Sequence, residues 1–469
     1  MRVIVHNEAN AEDNAMLQAL YSRSSSSVMD HVEKLREVGS GKFMDVYYIG
    51  YGHASVGDLG AATVYFEGIS MLAAKAIQDN QLYNGQECSS RYIDFGSAKF
   101  LPGVWAPGER QDQVESVLTK MRAFYVNNLE KVVSHVARNH PRQETESEST
   151  YAKAVKARAF DILRGYLPCG ATTNVAWTGT LRNLRERLEL LMHHPLYEVK
   201  LASAMAYKEL YAKYPHSFVE GYASTFNSGL SNLVAIEGEE PHAFLSRQDH
   251  FYSDVLVTSP EHGETMDISS PEEPLMTGLP TLSLEVLEAV TTHLKGRRPP
   301  RHSGAEHCRL AIEAMLDFGS FRDLQRHRGG YCSMPAVDPL EGFHAWYYHN
   351  LPSDVQDEAA RLLDEIKDLD YKLISEDPSA IRRLMNQYFM PMGCLVPCSL
   401  EYSLPQAIYV AELRSGQTVH STLRPLAQQL GDYLSDHGVE VHFDDRPDTW
   451  STRRGTQDIV DKSAETPQE

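Results

Sequence analysis

From residue 111 to residue 139 the apolar side chains fall at Val114, Val117, Leu118, Met121, Phe124, Tyr125, Leu129, Val132, Val133 and Val136. That is the spacing of one face of an α-helix, sustained for about seven turns, and it predicts a long amphipathic helix against a core. A second stripe, Val355, Ala359, Leu362, Leu363, Ile366 and Leu369, comes after Ser353-Asp354-Val355-Gln356, which reads as a capping box opening a helix. Residues 151–166, 182–191 and 197–214 read as further helices, as does the region from Met16 to Leu35. Strand signals are shorter. Val3-Ile4-Val5 is an apolar run, Ala62 to Phe66 alternates, and Phe251 to Thr258 is a third candidate. Ser70 to Ile77 reads as a short helix soon after the alternating stretch. Strands mixed with long helices predict an α/β (α+β) protein whose mixed sheets pack against helices.

Around residues 228–300 the periodicity breaks. Glu237-Gly238-Glu239-Glu240-Pro241, Pro260-Glu261-His262-Gly263-Glu264 and Ser270-Pro271-Glu272-Glu273-Pro274 are turn-rich. A boundary near 227 divides the chain into domains 1–226 and 227–450, and the polar stretch 451–469 reads as a disordered tail. The second domain repeats features of the first. Phe389-Met390-Pro391-Met392-Gly393 echoes Tyr166-Leu167-Pro168-Cys169-Gly170, and the region of His302 and Glu306-His307 echoes that of His53.

Composition narrows the class. The net charge of −20 leaves no basic footprint, which argues against a nucleic-acid partner, although a local arginine cluster can still hold a small anion. No apolar run approaches the roughly 18 residues of a membrane span. The opening MRVIVHNEANAED lacks a signal pattern, so a cytoplasmic protein is expected. Cysteines 88, 169, 308, 332, 394 and 398 form no C-x-x-C pair and read as reduced thiols; no metal site is expected.

Candidate chemistry sits in two distant stretches. Glu87, Ser89, Arg91 and Tyr92 spell E-x-S-x-R-Y, and Arg326-His327-Arg328 lies in FRDLQRHRGGY. Arg164 stands four residues before Pro168, Glu306 twenty residues before Arg326, and Leu413 precedes Arg414. The S-x-R-Y and R-H-R stretches, each taken alone, read as surface loops rather than sites. Together they supply guanidinium forks and hydroxyls, the donor set a phosphate monoester wants. Cys88 has no adjacent basic partner to activate it and is not taken as a nucleophile.

In register, these residues resemble the flavin-dependent thymidylate synthase family, where they form one run, R-H-R-x-x-S-x-N-E-x-S-x-R-Y. Here the tail of the run lies in the first half of the chain and its head in the second. The chain thus resembles two fused, divergent copies. The resemblance implies that Glu87, Ser89, Ser90, Arg91, Arg164 and Arg182 bind the nucleotide. It implies that Arg326, His327, Arg328, His302 and Glu306 bind FAD, and that Arg414 acts on the pyrimidine as the catalytic group. The losses are complementary. Asp79, Asn80 and Gln81 replace R-H-R in the first copy, where Leu191 and Thr180 also stand for a family Arg and Asn. In the second copy Met334, Ala336, Asp338 and Pro339 replace E, S, R and Y, and Gln387 replaces the phosphate Arg.

The resemblance implies conversion of dUMP to dTMP, with FAD as cofactor and with NADPH and methylenetetrahydrofolate as co-substrates. Family active sites form where subunits of a homotetramer meet, so a homodimer of this duplicated chain is expected as a pseudo-tetramer. Two readings stay open beside it: a sister flavoenzyme for another pyrimidine nucleotide, and a non-catalytic nucleotide-binding scaffold of the same fold.

Overall fold

The structure is a computed structural model that describes residues 1–6, 10–22, 27–50, 53–91, 94–103, 108–219, 266–278, 303–447 and 450–456. Tyr92, His302, the boundary near 227 and the strand expected at 251–258 lie outside the described residues. The architecture is mixed helix and sheet, as the periodicities predict.

Two compact units interleave along the chain. Among the described residues, one holds Met1–Cys88 and the chain from Ala171 to 219; the other holds Ser89–Gly170 and the chain from 266 onward. The sequence reading divides the chain in one place, whereas the units place the long helices of the first half with the second half.

Each unit carries a four-stranded antiparallel sheet of the same order. In the first the order is Arg2–His6, Ala61–Ser70, Thr172–Thr180, Asn84–Glu87. In the second it is Leu275–Thr277, Arg309–Asp317, Leu395–Ser403, Gly330–Ser333. The repeat extends to the helix after each central strand. Ser70 caps the helix Met71–Gln78 by accepting from the Ala73 amide, and Asp317 caps Phe318–Leu324 by accepting from that of Ser320. Thr180 is the N-cap of Leu181–Leu191 and accepts the Asn183 amide; Ser403 stands at the matching position before Leu404–Arg414 but makes no side-chain cap bond. Side-chain oxygens at such positions satisfy amides that the first helical turn leaves unpaired, which fixes where strand becomes helix.

The long stripe forms the helix Glu109–Asn139, with Val114, Met121, Phe124, Val132 and Val136 among its buried residues. Asn128 is buried in the stripe and donates to the Phe124 carbonyl and to Glu358. The second stripe forms Ser353–Glu376. Its N-cap is Pro352, so the expected capping box is absent; Gln356 instead donates to the carbonyls of Tyr348 and Leu351. The pattern from Met16 to Leu35 is two helices, Ala11–Tyr21 and Val28–Val38, the second opened by a capping box of Ser27 and Asp30. The two echoed Pro segments pair with each other. Pro168 bridges Pro391, the Cys169 amide donates to the Met390 carbonyl at 2.8 Å, and the Met392 amide donates to that of Leu167 at 2.8 Å.

The stretch read as a disordered tail is partly ordered. Thr452–Thr456 is a 3-10 turn, and Arg454 is buried. Polarity misled the reading, because the ion pair that buries Arg454 lies far away in sequence. Residues 457–469 lie outside the described residues.

Candidate functional site

The helix Glu148–Arg164 places Arg158, Asp161 and Arg164 three residues apart, on one side of the helix, and all three are buried. Asp161 has no exposure and is gripped by two guanidinium forks. Arg91 donates from Nε and Nη2 to its two oxygens at 2.9 and 3.1 Å. Arg454 grips the same carboxylate with both Nη groups. Burial alone would raise the Asp161 carboxyl, but the charges of Arg454 and Arg91 hold it well below the usual range. Burial and the like charge of Arg454 lower Arg91, and Asp161 opposes them. Arg91 Nη2 also donates to the Thr418 carbonyl at 3.0 Å, so its hydrogen bonds use the Nε and Nη2 edge and leave Nη1 uncommitted among the described residues.

The loop at 418–422 closes this network. His420 accepts the Thr422 amide at Nδ1, which puts its proton on Nε2, 3.2 Å from the Asp161 carbonyl. Burial and the charge of Arg164 push His420 far below its ordinary range, so it is neutral. Arg158 donates to the Ser421 hydroxyl at 2.7 Å and lies over the Trp346 ring.

Arg164 is 2% exposed and donates to the Tyr347 hydroxyl at 3.2 Å. Tyr347 donates in turn to Asp317 at 2.8 Å. Arg164 Nε and Asp317 Oδ2 are both buried without a hydrogen-bond partner among the described residues. Gly319 makes the arrangement possible, because a Cβ there would stand 3.0 Å from the guanidinium.

The helix Phe318–Leu324 leads from Asp317 to the second cluster. Asp323 pairs with Arg326, and its carbonyl accepts from Arg414 Nη2 at 3.0 Å. Arg414 Nε donates to His327 Nε2 at 2.8 Å, so His327 is an acceptor on that nitrogen. Tyr409 meets the His327 ring edge-on. Arg414 is lowered by burial, against the pull of Tyr402 and Tyr409. Arg326 has a side chain 42% exposed, and Arg328 is half-buried.

The second unit therefore brings Arg91 and Arg164 into one network, and Arg326, His327 and Arg414 into another. Ser89 accepts the Arg91 amide at 3.2 Å, Ser90 is buried, and Glu306 is half-buried in the short helix Ser303–His307. Glu87 and Arg182 belong to the first unit. There Gln78 donates to Glu87 at 2.8 Å and Arg182 pairs with Asp58 at 2.6 Å. Also in that unit, Asp79 is paired with Lys75, Thr180 donates to Asp58, and Leu191 is fully buried. Sequence reasoning missed Asp161, Asp317, Tyr347, His420 and Arg454. The charged residues three apart in the helix ending at Arg164 were a usable signal for Asp161; nothing local marks the others.

The equivalent positions in the second half carry no cation. Gln387 accepts the Val337 amide and donates to the Leu384 carbonyl. Asp338 is pushed up to about 6 by burial, and nearby Asp370, bonded by Asn386 at 2.6 Å, is pushed up to about 7, also by burial.

Residues 2–216, a little under half of the chain, match the family model described as thymidylate synthase complementing protein. A UPF0159 protein of Chlamydia muridarum is 27% identical over 329 residues, covering 62% of this chain and 61% of that relative. One of Thermoplasma acidophilum is 22% identical over 464 residues, covering 89% and 91%. One of Chlamydia pneumoniae is 23% identical over 415 residues, covering 81% and 75%. No helix among the described residues is long and apolar enough to cross a membrane.

Proposed function

We propose, from the match of residues 2–216 to the family model described as thymidylate synthase complementing protein, that the chain is a flavin-dependent methyltransferase converting dUMP to dTMP. Methylenetetrahydrofolate supplies the carbon, and NADPH supplies the reducing equivalents. The observation that carries this reading is one short helix joining two arginine clusters. Asp317 beside Arg164 caps its start, and Asp323 beside Arg414 lies near its end. Six residues of helix rise about 9 Å, a separation suited to a nucleotide held by its phosphate at one end and its base at the other.

In this reading the phosphate is taken by the uncommitted Nη1 edge of Arg91 and by Arg164, whose buried Nε is unspent. Both are charge-assisted donors with fixed geometry. Arg414 uses Nε and Nη2 on the protein, which orients its remaining edge for the pyrimidine; there it stabilises negative charge developing on the ring. His327 serves by fixing Arg414. Arg326 and Arg328 are two guanidiniums two residues apart, a donor set that suits the FAD pyrophosphate. The flavin, when bound, supplies the hydride; the protein supplies orientation and electrostatics.

A second reading, the same chemistry on another pyrimidine nucleotide, draws support from Thr180 and Leu191. The first is spent on Asp58 and the second is buried, so neither offers a polar group to a base. The test is to supply FAD, NADPH and methylenetetrahydrofolate, with dUMP or other pyrimidine nucleotides in turn, and to identify the methylated product by mass spectrometry. Bound flavin with turnover of a different nucleotide selects the second reading. Protein that takes up no flavin and methylates nothing refutes both and leaves a scaffold.

A further inference from the structure

Arg454 lies outside every motif of the sequence reading, yet it occupies the centre of the Arg91 network. The segment that carries it is held at three points. Trp450 stacks on His140 with ring centroids 4.5 Å apart, and Tyr151 meets it edge-on. Gly455 packs so close to the start of the Glu148–Arg164 helix that a Cβ there would fall 2.0 Å from the Thr150 carbonyl oxygen. Between these anchors Arg454 reaches Asp161 with both Nη groups. A surface arginine would be free to swing; this one is 5% exposed on a carboxylate with no exposure at all.

The electrostatic consequence falls on Arg91. If Asp161 had Arg91 as its sole partner, the pair would be close to neutral, and an approaching phosphate would meet a buried carboxylate as well as a guanidinium. Arg454 takes a share of the same carboxylate. Asp161 still aims the Arg91 fork, but its charge no longer cancels that of Arg91. Burial first, and the like charge of Arg454 second, lower Arg91 against the pull of Asp161. An anion at the Nη1 edge of Arg91 relieves that repulsion. His420 is neutral, so the third group at Asp161 leaves this balance unchanged.

We propose that Arg454, docked on Asp161 by the 452–456 turn, is a positioning residue for phosphate-bearing ligands: it offsets the Asp161 charge so that Arg91 is left electropositive toward a nucleotide phosphate. The inference rests on the assignment of Arg91 to the phosphate under the proposed function. It makes the affinity for the phosphate depend on a segment that makes no motif contact.

The experiment is calorimetric titration of the full-length protein, loaded with FAD, using dUMP and deoxyuridine as probes. The variants are Arg454→Gln, Arg454→Lys and Gly455→Ala, each with a thermal melt. Arg454→Gln is expected to weaken dUMP binding about tenfold or more, since a unit charge is lost close to the phosphate in a buried setting. Deoxyuridine binding stays as in the wild type, because it carries no phosphate. Arg454→Lys keeps the charge without the fork and recovers most of the dUMP affinity. Gly455→Ala displaces the turn and reproduces the Arg454→Gln loss with the arginine still present. Unchanged dUMP affinity in Arg454→Gln overturns the inference. So does equal loss of dUMP and deoxyuridine in both Arg454 variants, which would mark a merely structural role. Wild-type protein that binds no dUMP overturns the parent reading, and this inference with it.

Discussion

Asp161→Asn tests whether the arginine network is held by a buried charge. Asn keeps the shape and one acceptor oxygen but removes the negative charge that faces Arg91 and Arg454. Four donated hydrogen bonds converge on this carboxylate, two from each arginine, and its exposure is zero. Removing one partner of a buried pair leaves the other uncompensated, at a cost of about 3–5 kcal/mol. Two arginines are stranded here, so the upper part of that range is expected at pH 7. The pH dependence has a definite sign. The folded carboxyl lies well below its ordinary value of 3.8, so its contribution is complete above that value and is lost as pH falls through the folded one. Wild type and variant should therefore differ by a constant amount from pH 5 to 8 and converge only below about pH 4. Urea unfolding measures the difference, and hydrogen exchange in the Glu148–Arg164 helix localises it. Adding Arg454→Gln to Asp161→Asn should recover part of the loss, since one stranded cation is removed. A loss below about 1 kcal/mol, the scale of an exposed ion pair, would refute the reasoning.

Asp370→Asn should act in the opposite direction. Burial raises this carboxyl to about 7, so ionising it penalises the fold increasingly as pH climbs from 3.8 toward 7. The variant should be more stable than wild type at pH 8 by up to about 4 kcal/mol and no different at pH 4, read by thermal melts at both values. Arg326→Ala with Arg328→Ala should abolish FAD retention, read from the visible flavin absorbance, while the far-ultraviolet circular dichroism stays unchanged; full flavin content in the double variant would disprove the assignment. Calorimetry should find one dUMP per chain, because Gln387 and Asp338 stand where the second set of phosphate arginines would be; two per chain would refute this. Light scattering should give a dimer of the 52.7 kDa chain, and a clean monomer at working concentration would count against the pseudo-tetramer.

The elements that could be read from the sequence are those whose cause is local. The stripe from Val114 to Val136 needs no partner to declare its period, and the strand at Ala62–Phe66 declares itself by alternation. The echo between Leu167-Pro168-Cys169 and Met390-Pro391-Met392 was visible, but not that the two segments hydrogen-bond to each other, since nothing in either specifies a partner. The same limit applies at the site. Arg91 and Arg164 stand out as candidates because their motifs are short. Arg454 reads as part of a tail because a polar segment carrying an arginine pair looks alike in solvent and in a buried ion pair. The capping box at Ser353 failed for a related reason: Pro352 took the capping position, and a four-residue signature does not reveal its own register.

The two halves share a sheet order and cap their helices at matching places, yet they differ in charge where it matters. In the first half a half-buried Arg at 91 and a buried one at 164 pair, among the described residues, with carboxylates set deep in the network, Asp161 and Asp317, so one edge of Arg91 and the Nε of Arg164 remain unspent there. In the second half Gln387 spends both ends of its amide on nearby backbone, and burial raises Asp338 and Asp370 toward their neutral forms. A duplicated fold can absorb such a change cheaply, because an uncharged hydrogen-bonded amide costs less to bury than an ion pair. It cannot do so at both positions and keep the phosphate site of the proposed function. Under the proposed function the retained network answers a demand for positive charge rather than for stability, for which the amide version in the other half already suffices.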